Sequence, residues 1–196
     1  TVTIANPLGE DFSIMRTVSL NGVLTSLATN YNRKNKIARL YEFGNVYLPK
    51  SLPLTELPEE RMKLTIGMYG QGDFFDLKGV LEELTDKVGL KGKVTYEPEA
   101  EYTFLHPGRQ AKLKKGNLTI GFIGQVHPEV CDNYNLKGEV YVAVIDMPTL
   151  VMLSSFDIKY EGIAKFPGST RDLSLVVDKE IFVGQIEEVI KKCGGK

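Results

Sequence analysis

Arginines are the side chains of this sequence best suited to handling phosphate groups. Arg16, Arg39 and Arg109 could hold a nucleotide, because an adenylating site stabilises the charge that develops on the α-phosphate with arginines and carboxylate-bound magnesium. Ordinary ion pairs use the same side chains, and we favour that structural interpretation. The stretch 140–153 contains no arginine at all. We therefore expect no catalytic residue in this chain.

Two histidines and a cysteine have side chains that could bind a metal or act as nucleophiles. His106 and His127 each precede a proline, which favours an extended backbone at a strand end or turn. His127 and Cys131 together offer two neighbouring ligands, whereas a zinc site needs four. As a nucleophilic pair they lack an evident orienting partner. We predict neither a metal site nor a cofactor-binding site here.

Glycines and lysines mark two further segments. Gly67, Gly70 and Gly72 resemble a phosphate-binding loop only superficially, since no Lys-Ser/Thr pair follows them, and a bend is the better interpretation. Three lysines surround a predicted hairpin tip at Lys115-Gly116-Asn117, where a solvated turn is the default and contact with an RNA backbone is the alternative. These lysines are Lys112, Lys114 and Lys115.

The composition limits the classes of function. The 196 residues include 24 basic and 25 acidic side chains, for a net charge of -1, so a surface that binds nucleic acid all over is excluded and any RNA contact must be local. Apolar runs are far shorter than the roughly 20 residues of a membrane span. The two cysteines are predicted to be free thiols in a reducing, cytoplasmic setting. Both ends are typical of a piece excised from a longer protein.

Periodic patterns predict the elements that carry these side chains. Apolar residues at helical spacing indicate one helix beginning near Ser19, its predicted N-cap, and a second beginning near Asp76, with Asp73 or Asp76 as its cap and Gly89 as its stop. Strands are predicted at 37–48, 63–69, 93–97, 110–114, 118–124, 140–146 and 173–177, and a last helix at about 182–192. Hairpins with interspersed helices indicate an antiparallel α+β sheet domain that ends near residue 155.

Five stretches, in their order and spacing, resemble the beta subunit of phenylalanine–tRNA ligases. They are Asn6-Pro7-Leu8 with Ser13-Ile14-Met15-Arg16-Thr17; Leu40-Tyr41-Glu42-Phe43-Gly44-Asn45-Val46-Tyr47; Asp73-Phe74-Phe75-Asp76-Leu77-Lys78-Gly79; His106-Pro107-Gly108-Arg109 with Gly121-Phe122-Ile123-Gly124-Gln125-Val126-His127-Pro128; and Lys165-Phe166-Pro167 with Arg171-Asp172-Leu173.

This resemblance implies a class II synthetase-like antiparallel sheet with flanking helices, at 1–155, without catalytic activity. A linker at 156–164 would lead to the truncated start of a ferredoxin-like anticodon-binding domain at 165–196. Lys165 and Arg171 are then the best candidates for tRNA contact. The resemblance further implies an alpha subunit as partner in an alpha2-beta2 assembly, tRNA as a second partner, and ATP and magnesium as requirements of the whole enzyme only.

The resulting hypothesis is a non-catalytic scaffold that supports the alpha subunit and tRNA in an enzyme that attaches phenylalanine to its tRNA. Two alternatives remain at this point. One is a domain with an adenylating site of its own, and the other is a stand-alone RNA-binding module. The truncated tail is expected to supply only half a core, because a complete ferredoxin-like domain needs four strands and two helices.

Overall fold

A six-stranded antiparallel sheet forms the centre of this protein. The computed structural model describes residues 2–156 and 167–194, and the chain divides into two compact units, Thr1–Ile158 and Lys159–Lys196. The first unit contains, in chain order, β1 (Val2–Thr3), β2 (Ile14–Met15), α1 (Leu20–Asn32), β3 (Ala38–Leu48), β4 (Glu59–Tyr69), α2 (Phe74–Lys87), β5 (Thr95–Pro98), β6 (Leu105–Lys115), β7 (Leu118–Val126), α3 (Pro128–Asn133), β8 (Val140–Asp146) and α4 (Met147–Leu153).

The strands follow the order β3-β4-β8-β7-β6-β5, and every neighbouring pair is antiparallel. The predicted antiparallel sheet is therefore confirmed. Strand β4 starts four residues earlier than predicted, because Glu59 and Glu60 pair with Leu48 and Tyr47 across the hairpin. Charged residues at a hairpin end do not alternate with apolar ones, so the sequence pattern missed them.

Helix α1 confirms the first predicted helix and corrects its capping. Ser19 occupies the N-cap position but makes no side-chain cap hydrogen bond. Its hydroxyl instead accepts a hydrogen bond from Thr65 on β4, at 2.6 Å. The helix lies directly over Gly67, where a Cβ atom would come within 2.6 Å of a Val23 methyl and 2.9 Å of a Leu27 methyl. Glycine at this strand position allows the close approach of helix and sheet.

Helix α2 is capped by both of the predicted aspartates. Asp73 accepts hydrogen bonds from the backbone N–H groups of Phe75 and Asp76, at 2.7 and 3.1 Å, and Asp76 accepts from the Asp73 N–H at 2.8 Å. This reciprocal arrangement satisfies donors that a helix start leaves unpaired. Gly89 follows the helix with a φ of 81°, which fits its predicted role as a stop.

The sheet separates two apolar cores. The face under α1, here called the α1 face, carries Val140, Val142 and Val144 of β8 together with buried residues of α1. The opposite face, here called the α2 face, carries Tyr141, Ala143 and Ile145 and is covered by buried residues of α2 and α4. All seven residues of β8 are buried. This central strand therefore contributes to both cores at once.

Two short helices were missed in the sequence. Helix α3 follows His127 and α4 follows Asp146, and each carries a proline in its first turn. With six and seven residues, neither is long enough to show a helical apolar period. Their signals are local, since a capping side chain followed by proline favours a helix start.

The second unit contains one described helix, α5 (Val183–Cys193), which confirms the predicted one. The predicted strand at 173–177 is wrong, because these residues form no strand in the described part of this unit. A strand needs a partner to pair with, and none is present among residues 167–194. Apolar residues of this unit are exposed, among them Leu173, Val176 and Val183. The described chain contains no helix that is long and apolar enough to cross a membrane.

Candidate functional site

The α1 face of the sheet brings cationic side chains together at one end. Side chains two residues apart on a strand point to the same face, so Arg61, Lys63 and Thr65 of β4 share the side on which α1 lies. Lys63 pairs with Asp146 of β8 in the strand register. The geometry therefore places an arginine, a lysine and an aspartate in one cluster, beside a cavity of about 410 Å³ that they help to line.

Asp146 is the centre of this cluster. It accepts two hydrogen bonds from Arg61, at 2.5 and 2.9 Å, and one from Lys63 at 2.7 Å. It also caps α4 by accepting from the Thr149 N–H and hydroxyl, at 3.0 and 2.6 Å. Burial alone would raise the pKa of Asp146, but these bonds outweigh it and hold the pKa well below its usual range. Asp146 is thus a fixed anion shared by two cations, and Glu59, 3.2 Å from Arg61, supplies the second negative charge.

Arg16 forms a second ionic group, with residues of the edge strand β3. Its guanidinium donates to Glu42 at 2.6 Å and to the Asn45 carbonyl at 2.8 Å. It lies flat against Gly44, where a side chain would collide with it, since a Cβ atom would lie 1.7 Å from Nη2. Arg16 therefore fastens the segment before α1 onto β3.

Arg109 forms a third ionic group, at the end of β8 opposite to Asp146. It donates to Gln125 at 2.6 Å and to Glu139 at 2.7 Å, and the Tyr141 hydroxyl donates to the same glutamate at 2.7 Å. Hydrogen bonds from Tyr141 and Arg109 lower the pKa of Glu139. Burial, together with this glutamate, raises the pKa of Tyr141 to about 12. The group is internally balanced in charge.

Arg39, the remaining predicted arginine, differs from the others. It donates to the Gln71 carbonyl at 3.4 Å and is exposed. Its register partner is Met68 of the α2 face, so it lies across the sheet from the cluster at Asp146. The predicted arginines Arg16, Arg39 and Arg109 are thus not assembled into one phosphate-binding site.

The histidines and the cysteine take local structural positions. His106 accepts a hydrogen bond from the Gly108 N–H at 3.1 Å, and His127 accepts from the Glu129 N–H at 3.3 Å as the N-cap of α3. Cys131 is buried, and burial raises the pKa of its thiol to about 11. Within residues 2–156 and 167–194, no group of three or more His, Cys, Asp or Glu side chains could hold a metal ion.

Two of the three lysines near the hairpin tip are paired with carboxylates. Lys112 contacts Glu99 and Glu101, at 2.5 and 2.8 Å, and Lys114 contacts Glu97 at 2.9 Å. Lys115 donates to the Leu153 carbonyl at 3.3 Å. The two paired lysines are therefore committed to strand β5 and its neighbourhood, and a freely solvated turn describes only Gly116 and Asn117.

The two predicted RNA-binding residues lie in the second unit. Lys165 is outside the described residues, as is most of the predicted linker at 156–164. Arg171 is exposed and donates to the Thr170 carbonyl at 3.2 Å. Both remain predictions as RNA contacts, and so do the domain boundaries at 155 and 165.

Arg61 is the arginine of this cluster that the sequence interpretation missed. It lies 85 positions from Asp146 in the sequence, and local sequence patterns do not predict a contact between residues so far apart. One local signal was present: Asp146 followed by Met147-Pro148-Thr149 is typical of a capped helix start. An acidic cap directly after a buried strand, opposite two cations on a neighbouring strand, would have indicated the cluster.

Comparison with protein families matches residues 1–147 to the phenylalanyl tRNA synthetase beta chain CLM domain. The chain is 48% identical over 194 residues to the phenylalanine–tRNA ligase beta subunit of Clostridium acetobutylicum, which covers 99% of this chain and 24% of the relative. It is 43% identical to that of Clostridium tetani and 36% identical to that of Bacillus subtilis, covering 24% and 25% of them. The chain thus spans about a quarter of the length of these curated relatives.

Solved structures support the fold independently of close sequence similarity. The crystal structure of pyrrolysyl-tRNA synthetase from Desulfitobacterium hafniense matches with a TM-score of 0.58 at 15% identity, over 70% of this chain and 49% of that protein. At this identity the match concerns the fold alone. The family match over residues 1–147 leads to one conclusion: the chain belongs to the phenylalanyl-tRNA synthetase beta chain CLM domain family.

Proposed function

We propose that this chain is a non-catalytic scaffold within a phenylalanine–tRNA ligase, an enzyme that attaches phenylalanine to its tRNA with ATP and magnesium. In this proposal a class II synthetase-like sheet supports a catalytic alpha subunit and tRNA in an alpha2-beta2 assembly in the cytoplasm. Residues 1–155 form the scaffold, and residues 165–196 are the start of a ferredoxin-like anticodon-binding domain. The family membership supports the assignment to a phenylalanine–tRNA ligase, and the site geometry supports a non-catalytic role for this chain.

The observation that carries the proposal is the pairing of three sheet-domain arginines, Arg16, Arg61 and Arg109, with carboxylates of the chain. Arg16 is paired with Glu42, and Arg61 with Asp146. A nucleotide phosphate would have to displace these carboxylates, and displacement leaves an unpaired anion in a partly buried position, which is costly. A site that binds transition-state charge needs cations that are free to meet it. The cations of the sheet instead hold the fold together.

ATP binding tests the non-catalytic part. Isothermal titration of the chain with ATP and magnesium is expected to give no saturable heat up to millimolar nucleotide. Saturable binding would contradict the scaffold role and favour a domain with its own adenylating site.

Co-purification tests the scaffold part. Tagged chain expressed with an alpha subunit is expected to retain that subunit through washing, and a chain that never retains it would contradict the proposal. A partner that survives 1 M salt would indicate an interface in which ion pairs contribute little, since the Debye length there is only about 3 Å.

RNA contact is tested at Lys165 and Arg171. In gel-shift titrations with tRNA, the double change Lys165→Ala and Arg171→Ala is expected to weaken binding and to lower its salt dependence by about one to two phosphate contacts. Lys191→Ala is the matched control, since Lys191 is paired with Glu187 on α5 at 3.5 Å. If the control weakens tRNA binding as much as the double change does, Lys165 and Arg171 do not contact the RNA.

A further inference from the structure

A second cavity of the first unit lies beside the N-terminal end of α1, apart from the cluster at Asp146. It measures about 470 Å³, which is within the range of about 300–1,000 Å³ found for small-molecule sites. Its floor is formed by Leu20, Leu24, Val126 and Val142, all of them buried. They belong to a helix and two central strands, so the floor is rigid.

Aromatic and aliphatic side chains form the walls. Phe104 stands before β6, while Val130 and Tyr134 come from α3 and the residue that ends it. Each of the three is only half-buried, so the cavity opens to solvent between them. A flat apolar body between a phenylalanine and a tyrosine would gain both burial and ring contacts.

Three polar groups at the cavity have unused hydrogen-bonding capacity. Thr17, Asn21 and Tyr134 all line it, and their side chains make no hydrogen bond with the part of the chain that the structure describes. Burial raises the pKa of Tyr134, which keeps its hydroxyl a neutral donor. These groups can donate to and accept from a ligand head group.

The charge at the cavity favours a neutral ligand. Among the residues that the structure describes, Arg16 is the only charged side chain in its lining. Its guanidinium is already engaged by Glu42 and the Asn45 carbonyl and lies against Gly44. A carboxylate entering the cavity would lose its hydration without gaining a free cation, which is unfavourable.

We propose that this cavity binds a small molecule with one aromatic or branched apolar body and one neutral polar head group, a hydroxyl or an amide. The apolar body lies on the floor of α1, β7 and β8, and the head group bonds to the Tyr134, Thr17 and Asn21 side chains at the rim. This site does not rest on the proposed scaffold function, because the ligand contacts leave the ion pair between Arg16 and Glu42 in place.

Methyl NMR of the full chain tests the site with 2-phenylethanol as the probe. The methyl signals of Leu20, Leu24, Val126 and Val142 are expected to shift in a saturable way with a Kd on the order of 0.1–10 mM, as suits a ligand of this size. The methyls of Leu81 in the opposite core are expected to stay unchanged. Absence of saturable shifts, or equal shifts in both cores, would overturn the proposal.

Ligand and protein variants test the head-group contacts. Phenylacetate, which carries a charge in place of the hydroxyl, is expected to bind at least about fivefold more weakly. Tyr134→Phe is expected to weaken 2-phenylethanol about fivefold and to leave ethylbenzene unaffected. Val130→Trp, which fills the half-buried wall, is expected to abolish binding without unfolding the chain and serves if Tyr134→Phe fails to fold. Binding that survives Val130→Trp, or that favours phenylacetate, would overturn the assignment.

Discussion

Replacing Asp146 with asparagine removes one charge and keeps the shape and the helix cap. Asparagine is a good N-cap residue, so α4 should remain capped through its carbonyl. Arg61 and Lys63 would instead lose the anion to which they donate three hydrogen bonds of 2.5 to 2.9 Å. The change therefore isolates the energetic contribution of the ionic cluster.

The expected loss in the free energy of unfolding follows from the number of hydrogen bonds to Asp146 and from the exposure of the side chains that make them. Hydrogen bonds to charged groups contribute about 1.5–3 kcal/mol each when buried. The Asp146 side chain is 9% exposed, but those of Arg61 and Lys63 are 37% and 22% exposed, so solvent screening reduces their share. We expect Asp146→Asn to lower the free energy of unfolding by about 3 kcal/mol, or the Tm by about 6–12 °C for a domain of this size.

Urea unfolding followed by far-UV circular dichroism measures this change. The matched control is Glu56→Gln, which removes a carboxylate from an exposed pair with Lys50 at 3.1 Å with side chains 55% and 58% exposed. It should change the free energy of unfolding by less than about 0.5 kcal/mol. If Asp146→Asn has an effect as small as this control, the cluster does not stabilise the fold as argued.

The pH dependence provides a second check on the same residue. Because the pKa of Asp146 is depressed in the folded state, its contribution is fully present above the unfolded-state pKa of about 3.9 and is lost as pH falls toward the lower folded value. The difference between the natural chain and Asp146→Asn should therefore narrow by about 1.4 kcal/mol per pH unit below about pH 4. A difference that stays constant between pH 7 and pH 3 would assign the effect to packing.

Two further predictions concern close packing and thiol reactivity. Gly67→Ala should lower the free energy of unfolding by about 1–3 kcal/mol in the same assay, because the added methyl meets Val23 and Leu27 within 3 Å. The control Gly79→Ala, where the added methyl meets no atom within 4 Å, should be neutral or stabilising. A larger loss of stability for Gly79→Ala than for Gly67→Ala would contradict the packing argument. At pH 8, a disulfide reagent should modify exposed Cys193 quickly and buried Cys131, with its raised thiol pKa, only slowly, so a Cys193→Ser chain that still reacts quickly would show that Cys131 is accessible.

Elements were predictable where a pattern is local. The apolar stripe of α2 and its two capping aspartates lie within a few positions of one another, so propensity, period and cap chemistry agree. Ser19 shows the limit of this approach, because the choice between capping α1 and bonding to Thr65 depends on a strand 46 positions away. The predicted strand at 173–177 failed for a related reason, since β propensity does not supply a pairing partner.

The site was less predictable than the fold. Arginines could be counted in the sequence, but whether each one is free or neutralised depends on strand order. Arg61 meets Asp146 only because β8 inserts beside β4. The observation that carries the proposed function, a carboxylate beside Arg16, Arg61 and Arg109, is therefore a property of the folded sheet.

The central position of β8 has a consequence for how the protein is made. This strand separates the β3–β4 hairpin from the β5–β6–β7 group, yet it is synthesised after both. At about 5–20 residues per second, the stretch from Tyr69 to Val140 takes the ribosome on the order of 4–14 s to translate. Throughout that interval the inner edge of β4, which carries Leu64 and Met68, has no strand beside it. An open edge of this kind invites pairing with other chains, so the nascent protein should depend on chaperones until residues 140–146 emerge.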